Sequence, residues 1–233
     1  MSDLIEELRR ALGGEAVLVG ADVGLRSDTW GSPETCRAKA ILRPRDTAGV
    51  SAALRICHGA GQPVVVHGGL TGLVGGARSS ADEVALSLER MTAIEEVDAL
   101  GRTMTVQAGV PLQAIQERAA AEGLLFPLDL GARGSCQIGG NVSTNAGGNR
   151  VIRYGMTRRL VLGLEAVLAD GTVLQAMNKM LKNNAGYDLK HLFIGSEGTL
   201  GIVTRVVLRL ERAPASQNMA CVAVDDFARL TAF

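Results

Sequence analysis

Aromatic side chains are scarce in this chain. One Trp, two Tyr and four Phe among 233 residues force an aliphatic core, and they leave the backbone rather than ring stacking to grip any ligand. Net charge is missing as well: 24 basic side chains balance 24 acidic ones at a pI near 6.8, so there is no electrostatic footprint for nucleic acid or anionic lipid. Cysteine is present without a pattern. Cys36, Cys57, Cys136 and Cys221 are widely spaced, no C-x-x-C pair occurs, and His58, His67 and His191 are the three histidines. Neither a zinc site nor a disulfide framework is indicated, and reduced cytosolic thiols are the plain reading. No apolar run approaches the roughly 20 residues of a membrane span. The stretch Met1–Leu8 is acidic and amphipathic rather than basic then apolar, unlike a secretory signal. These absences predict a cytoplasmic protein acting on a small soluble molecule.

Glycine is what the chain has in excess, 29 residues, and two loops concentrate it. Gly131–Gly148 carries six glycines among short polar groups: Ser135, Asn141, Ser143, Thr144 and Asn145. Glycine lets a ligand approach the backbone, and hydroxyls and amides offer hydrogen bonds on short stems. If buried without a ligand, these polar groups would need other partners. The second loop, Gly68–Gly76, follows the apolar run Val64-Val65-Val66. Consecutive N–H groups at such a strand exit form an anion-binding nest; a tight turn or a glycine-lined packing surface is the alternative reading. The loop matches neither G-x-x-x-x-G-K-[ST] nor G-x-G-x-x-G. Two cradles predict one long ligand.

The remaining pattern is α+β, and the length accommodates two lobes. Leu4, Ile5, Leu8 and Leu12 recur at helical spacing and stop at Gly13-Gly14. Ala40–Leu42, a helix capped by Asp46 or Thr47 and ended by Gly59 and Gly61, and Val64–Val66 read as a βαβ unit, with the first glycine loop at the carboxyl end of its strand. Strands are predicted at 84–88, 94–97 and 103–108, with Leu100-Gly101 as a turn. Pro111 fits the first turn of a helix to about Ala121 that Gly123 ends. Val161–Leu168 and Thr172–Leu174 flank Asp170-Gly171, a type I′ hairpin signal. Thr199–Leu210 reads as a long strand entered through Gly195–Gly198. Pro214–Asn218 is a boundary, followed by an apolar strand-like piece, Met219–Val224, and a helix start at Asp225-Asp226-Phe227.

Several segments of the chain resemble one known family. These are Arg43-Pro44, Val65-Val66-His67-Gly68-Gly69-Leu70-Thr71-Gly72, Pro127-Leu128-Asp129-Leu130-Gly131, Gly134–Asn141, Thr144–Gly148, Arg153-Tyr154-Gly155, Leu168–Thr172, Gly186–Leu189 and Phe193–Ile202. In this order they resemble the FAD-linked oxidases and dehydrogenases of the vanillyl-alcohol oxidase type, with a PCMH-type FAD-binding domain, nearest to D-2-hydroxyglutarate, D-lactate and glycolate dehydrogenases. The resemblance implies an FAD domain of two α/β lobes, a small βαβ-containing one and a larger, mainly antiparallel one, with extended, non-covalently bound FAD between them. It implies cofactor contacts from Gly68, Gly69, Leu70, Thr71 and Gly72, from Asp129, Ser135, Gly139, Gly140, Asn141, Ser143, Thr144 and Gly148, and from Glu197, Gly198 and Ile202. Relatives that attach flavin covalently use a histidine within the first loop, where Leu70 and Thr71 stand here.

The implied activity is oxidation of a D-2-hydroxy acid by hydride transfer to flavin, with electrons passed on to an unspecified acceptor. The implied division is an N-terminal helical segment (1–36), the FAD-binding domain (37–213, lobes at 37–108 and 109–213) and the start of a truncated substrate domain (214–233). No catalytic residue and no metal ligand is assigned within these residues, because the resemblance places that machinery beyond them. A non-catalytic FAD-binding subunit that needs a substrate-domain partner, or that self-associates through exposed apolar area, is the alternative. A third reading is an NADPH-dependent reductase of a sugar nucleotide. Four further groups stay open between function and packing: His67 as flavin contact or satisfied strand-end histidine, Cys136 as nucleophile or small hydrophobe, Tyr154 as flavin contact or packing group, and Arg150, Arg153, Arg158 and Arg159 as carboxylate attractor or solvated face.

Overall fold

The computed structural model describes residues 2–31 and 34–233; Met1, Ser32 and Pro33, all in the expected N-terminal segment, lie outside the described residues. In α1 (Ser2–Leu12) the periodic Leu8 is fully buried, and Gly13 ends the helix at φ 89°. After β1 (Val17–Val19), α2 (Ala21–Gly24) and β2 (Ala40–Leu42) comes α3 (Thr47–Gly59). Asp46 caps α3 by accepting from the Gly49 N–H at 2.8 Å. The strands β3 (Val64–His67) and β4 (Val84–Ser87) complete a four-stranded sheet of order β1-β2-β4-β3. Its last three strands are parallel. The expected βαβ unit is present, but β4 lies between its two strands. Val84, Ala85 and Leu86 are buried completely, so β4 takes the position covered on both faces. The half-buried β3 is left at the edge, where its exit loop can meet the rest of the molecule.

The second sheet begins with β5 (Ile94–Asp98) and β6 (Thr103–Gln107). Next come α4 (Leu112–Ala121), β7 (Leu124–Leu125), α5 (Ile138–Ser143), α6 (Val151–Tyr154), α7 (Thr157–Leu160), β8 (Val161–Val167) and β9 (Val173–Ala176). The chain continues with α8 (Lys190–Phe193), β10 (Ile202–Arg209), β11 (Glu211–Arg212) and α9 (Phe227–Ala232). The sheet order is β5-β6-β10-β8-β9, antiparallel throughout. The architecture is therefore α+β, one small sheet with a parallel crossover and one antiparallel sheet. By hydrogen bonding, β5 and β6 belong with the second sheet, although the sequence grouped 94–108 with the first lobe.

Local geometry departs from the sequence reading in four places. The β8–β9 connection is not a two-residue type I′ turn: the Gly171 N–H donates to the Leu168 carbonyl and the Leu168 N–H to Thr172, and of Asp170 and Gly171 only Gly171 has positive φ, 85°. This is the type I turn with a glycine bulge that a three-residue hairpin loop adopts. Pro111 is the N-cap of α4 rather than its first helical residue. The large glycine loop contains the short helices α5 and α6. Met219–Val224 forms no strand and is exposed. The cap at Asp226 that starts α9 is present, accepting from the Arg229 N–H at 2.8 Å.

One buried carboxylate joins the two sheets. Glu165 on β8 is 2% exposed and accepts from Thr47 Oγ1 at 2.5 Å, Thr204 Oγ1 at 2.9 Å and Gln175 Nε2 at 2.8 Å, with Arg205 Nη1 at 3.5 Å. Thr47 opens α3, so this network fixes the helix of the first sheet onto the strands of the second. Replacing Glu165 with Leu strands several donors, and such losses cost about 1–3 kcal/mol each where the group stays buried. Glu165→Leu is expected to lower stability by roughly 2–4 kcal/mol, read from the urea midpoint of the purified chain.

Candidate cofactor-binding cleft

The two glycine loops touch through their backbones. A Cβ on Gly69 would stand 2.2 Å from the Ser135 carbonyl oxygen and 2.7 Å from Cys136 Cα, and one on Gly139 would stand 2.7 Å from Ala108 Cβ. At the start of α5, Ile138 and Gly139 donate backbone N–H groups to Val110 and Ala108 at 3.0 and 2.8 Å, which anchors the second loop to the end of β6. The turn 195–201 closes the third side. Its Gly195 and Glu197 N–H groups reach the Val142 and Ser143 carbonyls at 3.2 and 2.9 Å, and Gly198 faces Val66 of β3.

These segments enclose a cleft of about 290 Å³. Gly68, Gly69, Leu70, Thr71 and Gly72 line it from the first loop, Gly139, Gly140, Asn141, Ser143 and Thr144 from α5 and its end, and Glu197, Gly198 and Ile202 from the third side. Ser135 opens instead onto an adjoining cavity of about 200 Å³ behind the first loop, shared with Arg26, His67 and Glu89. Asp129 and Gly148 line neither; they pair with each other in an isolated bridge. Gly148, at φ 78°, leaves no room for a Cβ against the Asp129 carbonyl oxygen. The Asp129 carboxylate lies 3.7 and 3.6 Å from Arg133 and Arg150. Asp28, Thr29 and Gln137 also line the cleft, and sequence reasoning missed all three. Gln137 carried a signal, since it stands inside the second glycine loop; Asp28 and Thr29 carried none.

The cleft is built for an anion with hydroxyl and amine groups attached. The backbone N–H groups from Gly68 to Gly72 donate to no group among the described residues, which leaves them free for the anion that glycine spacing led us to expect. No lysine or arginine lines the cleft among the described residues, so neutral dipoles must hold the charge. At the start of α5, Gln137 Oε1, 3.9 Å from where a Gly68 Cβ would stand, and within the helix Asn141 Oδ1 are acceptors closed to solvent and without a hydrogen-bond partner among the described residues. Such atoms are costly unless something donates to them. Leu70 and Glu197 face the same space with φ of 55° and 54°. Left-handed backbone at non-glycine residues concentrates at ligand sites. Unpaired backbone donors, short hydroxyl and amide side chains and a glycine floor fit an extended dinucleotide such as FAD.

The groups left open by the sequence now have places. His67 is buried, and its Nε2 lies 2.9 Å from the Ala77 carbonyl oxygen; burial lowers its pKa. It closes the first loop as a satisfied strand-end histidine. Burial raises the Cys136 thiol pKa, which keeps it protonated and unsuited to nucleophilic attack. Arg153 lies over the Tyr154 ring at 5.4 Å. Arg158 donates to the His191 carbonyl at 2.8 Å and to that of Ile194, and Arg159 packs on Gly155. Arg150, facing Asp129, completes a set whose members each engage a neighbouring part of the protein.

Two glycines separate packing from binding. Gly69→Ala is expected to destabilise the chain by at least about 1–3 kcal/mol through overpacking. Gly72→Ala, with nothing within 4 Å of the added Cβ and no positive φ, is expected to leave the thermal midpoint unchanged. Glu89, in the adjoining cavity, supplies a pH test. Burial raises its pKa, but the Arg26 fork at 2.8 and 3.0 Å and Arg43 at 3.2 Å outweigh that and hold it below 4.5. Its contribution to stability is full above the unfolded value and is lost as pH falls through the lowered folded value. Glu89→Gln should therefore lower the urea midpoint near neutral pH and converge with the parent chain as pH falls below 4.5.

Comparison with known proteins agrees with this geometry. A family profile described as an FAD binding domain matches residues 38–177. A D-2-hydroxyglutarate dehydrogenase of Xanthomonas citri pv. viticola is 46% identical over 207 residues, covering 89% of this chain and 44% of that protein. The mitochondrial D-2-hydroxyglutarate dehydrogenase of Bos taurus is 42% identical over 228 residues, covering 98% and 42%. The chain thus spans less than half the length of these relatives. Among solved structures, alkyldihydroxyacetonephosphate synthase superposes with a TM-score of 0.80 at 21% identity, over 93% of this chain and 41% of that one, which supports the fold. The expected cytoplasmic location does not stand: relatives from Bos taurus, Oryza sativa and Danio rerio are named mitochondrial. The amphipathic start of the chain reports on packing, with Leu8 in the core. None of these relatives' names supports a partner chain or self-association, and no helix among the described residues is long and apolar enough to cross a membrane. By the match over residues 38–177 and by its fold, the chain belongs to the FAD-binding domain family.

Proposed function

We propose that this chain is the FAD-binding portion of a flavin-dependent dehydrogenase acting on a D-2-hydroxy acid of the 2-hydroxyglutarate, lactate or glycolate type. The observation that carries the reading is the cleft itself, lined by the unpaired N–H groups of the first glycine loop and by the short polar side chains of α5 and its end, in a chain whose relatives are named D-2-hydroxyglutarate dehydrogenases. The Gly68–Gly72 backbone would hold the pyrophosphate, with the Thr71 hydroxyl beside it. Gln137, Asn141, Ser143 and Thr144 would receive and orient the ribityl and ring groups, and Glu197, Gly198 and Ile202 would close the far side. Bound FAD would supply the hydride acceptor for the carbinol carbon.

Attachment is non-covalent in this reading, because Leu70 and Thr71 offer no ring nitrogen and His67 is turned to Ala77. We assign no catalytic residue to the chain. The proposal includes a division into an N-terminal segment (1–36), an FAD unit (37–213) and a further segment (214–233), with the lobes parting between β4 and β5.

The test is the visible spectrum of the purified chain with FAD, followed by anaerobic addition of D-2-hydroxyglutarate, D-lactate and glycolate. Bleaching by one acid identifies the substrate. A bound, releasable FAD that none of them reduces supports a cofactor portion that needs further chain for turnover, and failure to bind FAD sinks the assignment. Asn141→Leu removes one orphaned acceptor. It is expected to weaken FAD binding about 2- to 13-fold, the worth of one hydrogen bond, while leaving the FAD-free thermal midpoint unchanged or higher. Flavin fluorescence titration and thermal unfolding check the two effects separately.

A further inference from the structure

Three side chains distant in sequence meet beneath the first glycine loop. Asp28 follows α2, Cys36 precedes β2, and His67 ends β3; all three are buried, and their ligand atoms lie within 4.8 Å of one another. The charge among them is uncompensated. Asp28 forms no ion pair with any described residue, and its carboxylate is held by the Ser79 N–H at 2.9 Å and the Ser79 hydroxyl at 2.8 Å. The same hydroxyl is 3.1 Å from Cys36 Sγ, so one serine oxygen stands between carboxylate and thiol. A buried carboxylate is costly without a cation, and the neighbours here are an imidazole and a thiol, the two side chains that most often bind zinc.

We propose that Asp28, Cys36 and His67 form a zinc site, with water or the Ser79 hydroxyl as fourth ligand and with the Ala77 carbonyl accepting from the His67 ring nitrogen that does not hold the ion. Zinc accepts mixed sulfur, nitrogen and oxygen sets in tetrahedral geometry. Bond lengths of about 2.3 Å to sulfur and about 2.0–2.1 Å to nitrogen and oxygen put neighbouring donors roughly 3.3–3.6 Å apart. Donors already within 4.8 Å reach that spacing by side-chain rotation. Binding displaces the Cys36 thiol proton to solvent and changes no oxidation state. The dication with one thiolate and one carboxylate is neutral overall, which removes the uncompensated charge. His67 begins the glycine loop and Ala77–Ser79 ends it, so the ion would fasten both ends of the loop to the segment carrying Asp28 and Cys36. This inference stands on the cluster alone and does not rest on the reaction proposed above.

The test uses the full chain with Cys221→Ser, which removes the exposed thiol as a competing ligand. After chelator treatment, cobalt(II) is added and the spectrum recorded, and zinc content is measured separately after dialysis. The expected result is retention of zinc near one ion per chain, visible bands of tetrahedral cobalt, and a near-ultraviolet thiolate-to-cobalt band. Adding Cys36→Ser, close to isosteric and able to keep the Ser79 contact, should abolish the thiolate band with the circular dichroism unchanged. Asp28→Asn and His67→Ala should each weaken metal binding at least tenfold. Zinc should raise the thermal midpoint of the Cys221→Ser chain and not that of the Cys36→Ser/Cys221→Ser chain. The proposal is overturned if the chain with Cys36 shows no thiolate band, or if both chains give the same spectra and the same response to zinc; the cluster is then a hydrogen-bonded clamp only.

Discussion

Backbone packed on backbone, with no space for a side chain, is the constraint on which the cleft depends. Gly69 lies on Ser135–Gln137 and Gly139 on Ala108, and Gly109 turns at a point where a Cβ would be 2.0 Å from the Leu88 carbonyl oxygen. These contacts join the end of β3, the end of β4, the end of β6 and the start of α5. Glycine costs conformational entropy on folding, and here that cost is matched by close approach of segments that any larger residue would hold apart. The Glu165 network does the same work with a carboxylate: it ties α3 to β8, β9 and β10, next to the Gly139–Ala108 contact, since the Ala108 N–H donates to the Thr204 carbonyl at 2.8 Å.

The electrostatics of the cleft follow from that packing. Segments held so closely have no room for long basic side chains, and none lines the space among the described residues. An anionic ligand must be met by N–H dipoles, which are fixed in place before it arrives. The same rigidity keeps Gln137 and Asn141 carbonyl groups buried without partners and Leu70 and Glu197 at positive φ. Stability is withheld at these positions and recovered in the hydrophobic cores, the larger ones around Phe126 and Leu164 and around Leu8 and Leu86, a smaller one around Val23 and Ile41.

Much of this was legible one segment at a time. Leucine spacing located α1, Asp46 marked the cap of α3, and glycine clustering with short polar groups located both loops of the cleft. What failed had physical causes outside the local pattern. The hairpin after β8 uses Gly171 alone at positive φ, because the longer loop, and not the Asp-Gly pair, sets the turn. The place of β4 between β2 and β3 depends on which strand is covered on both faces. Asp129 and Gly148 sit in glycine-rich sequence like the cleft residues, yet their carbonyl-to-glycine contact serves the loop's own closure.

By itself the sequence determined an aliphatic α+β chain, two glycine cradles at strand and helix boundaries, and a motif order that matches FAD-binding proteins, because turn chemistry, periodicity and glycine spacing act over a few residues. Tertiary structure alone decided which groups converge. It brought Asp28, Cys36 and His67 together although no metal-binding spacing links them, turned His67 onto Ala77, and set the polar groups of α5 beside the unpaired donors of the first glycine loop. Such meetings are fixed by the packing of segments dozens of residues apart, and no local propensity encodes them.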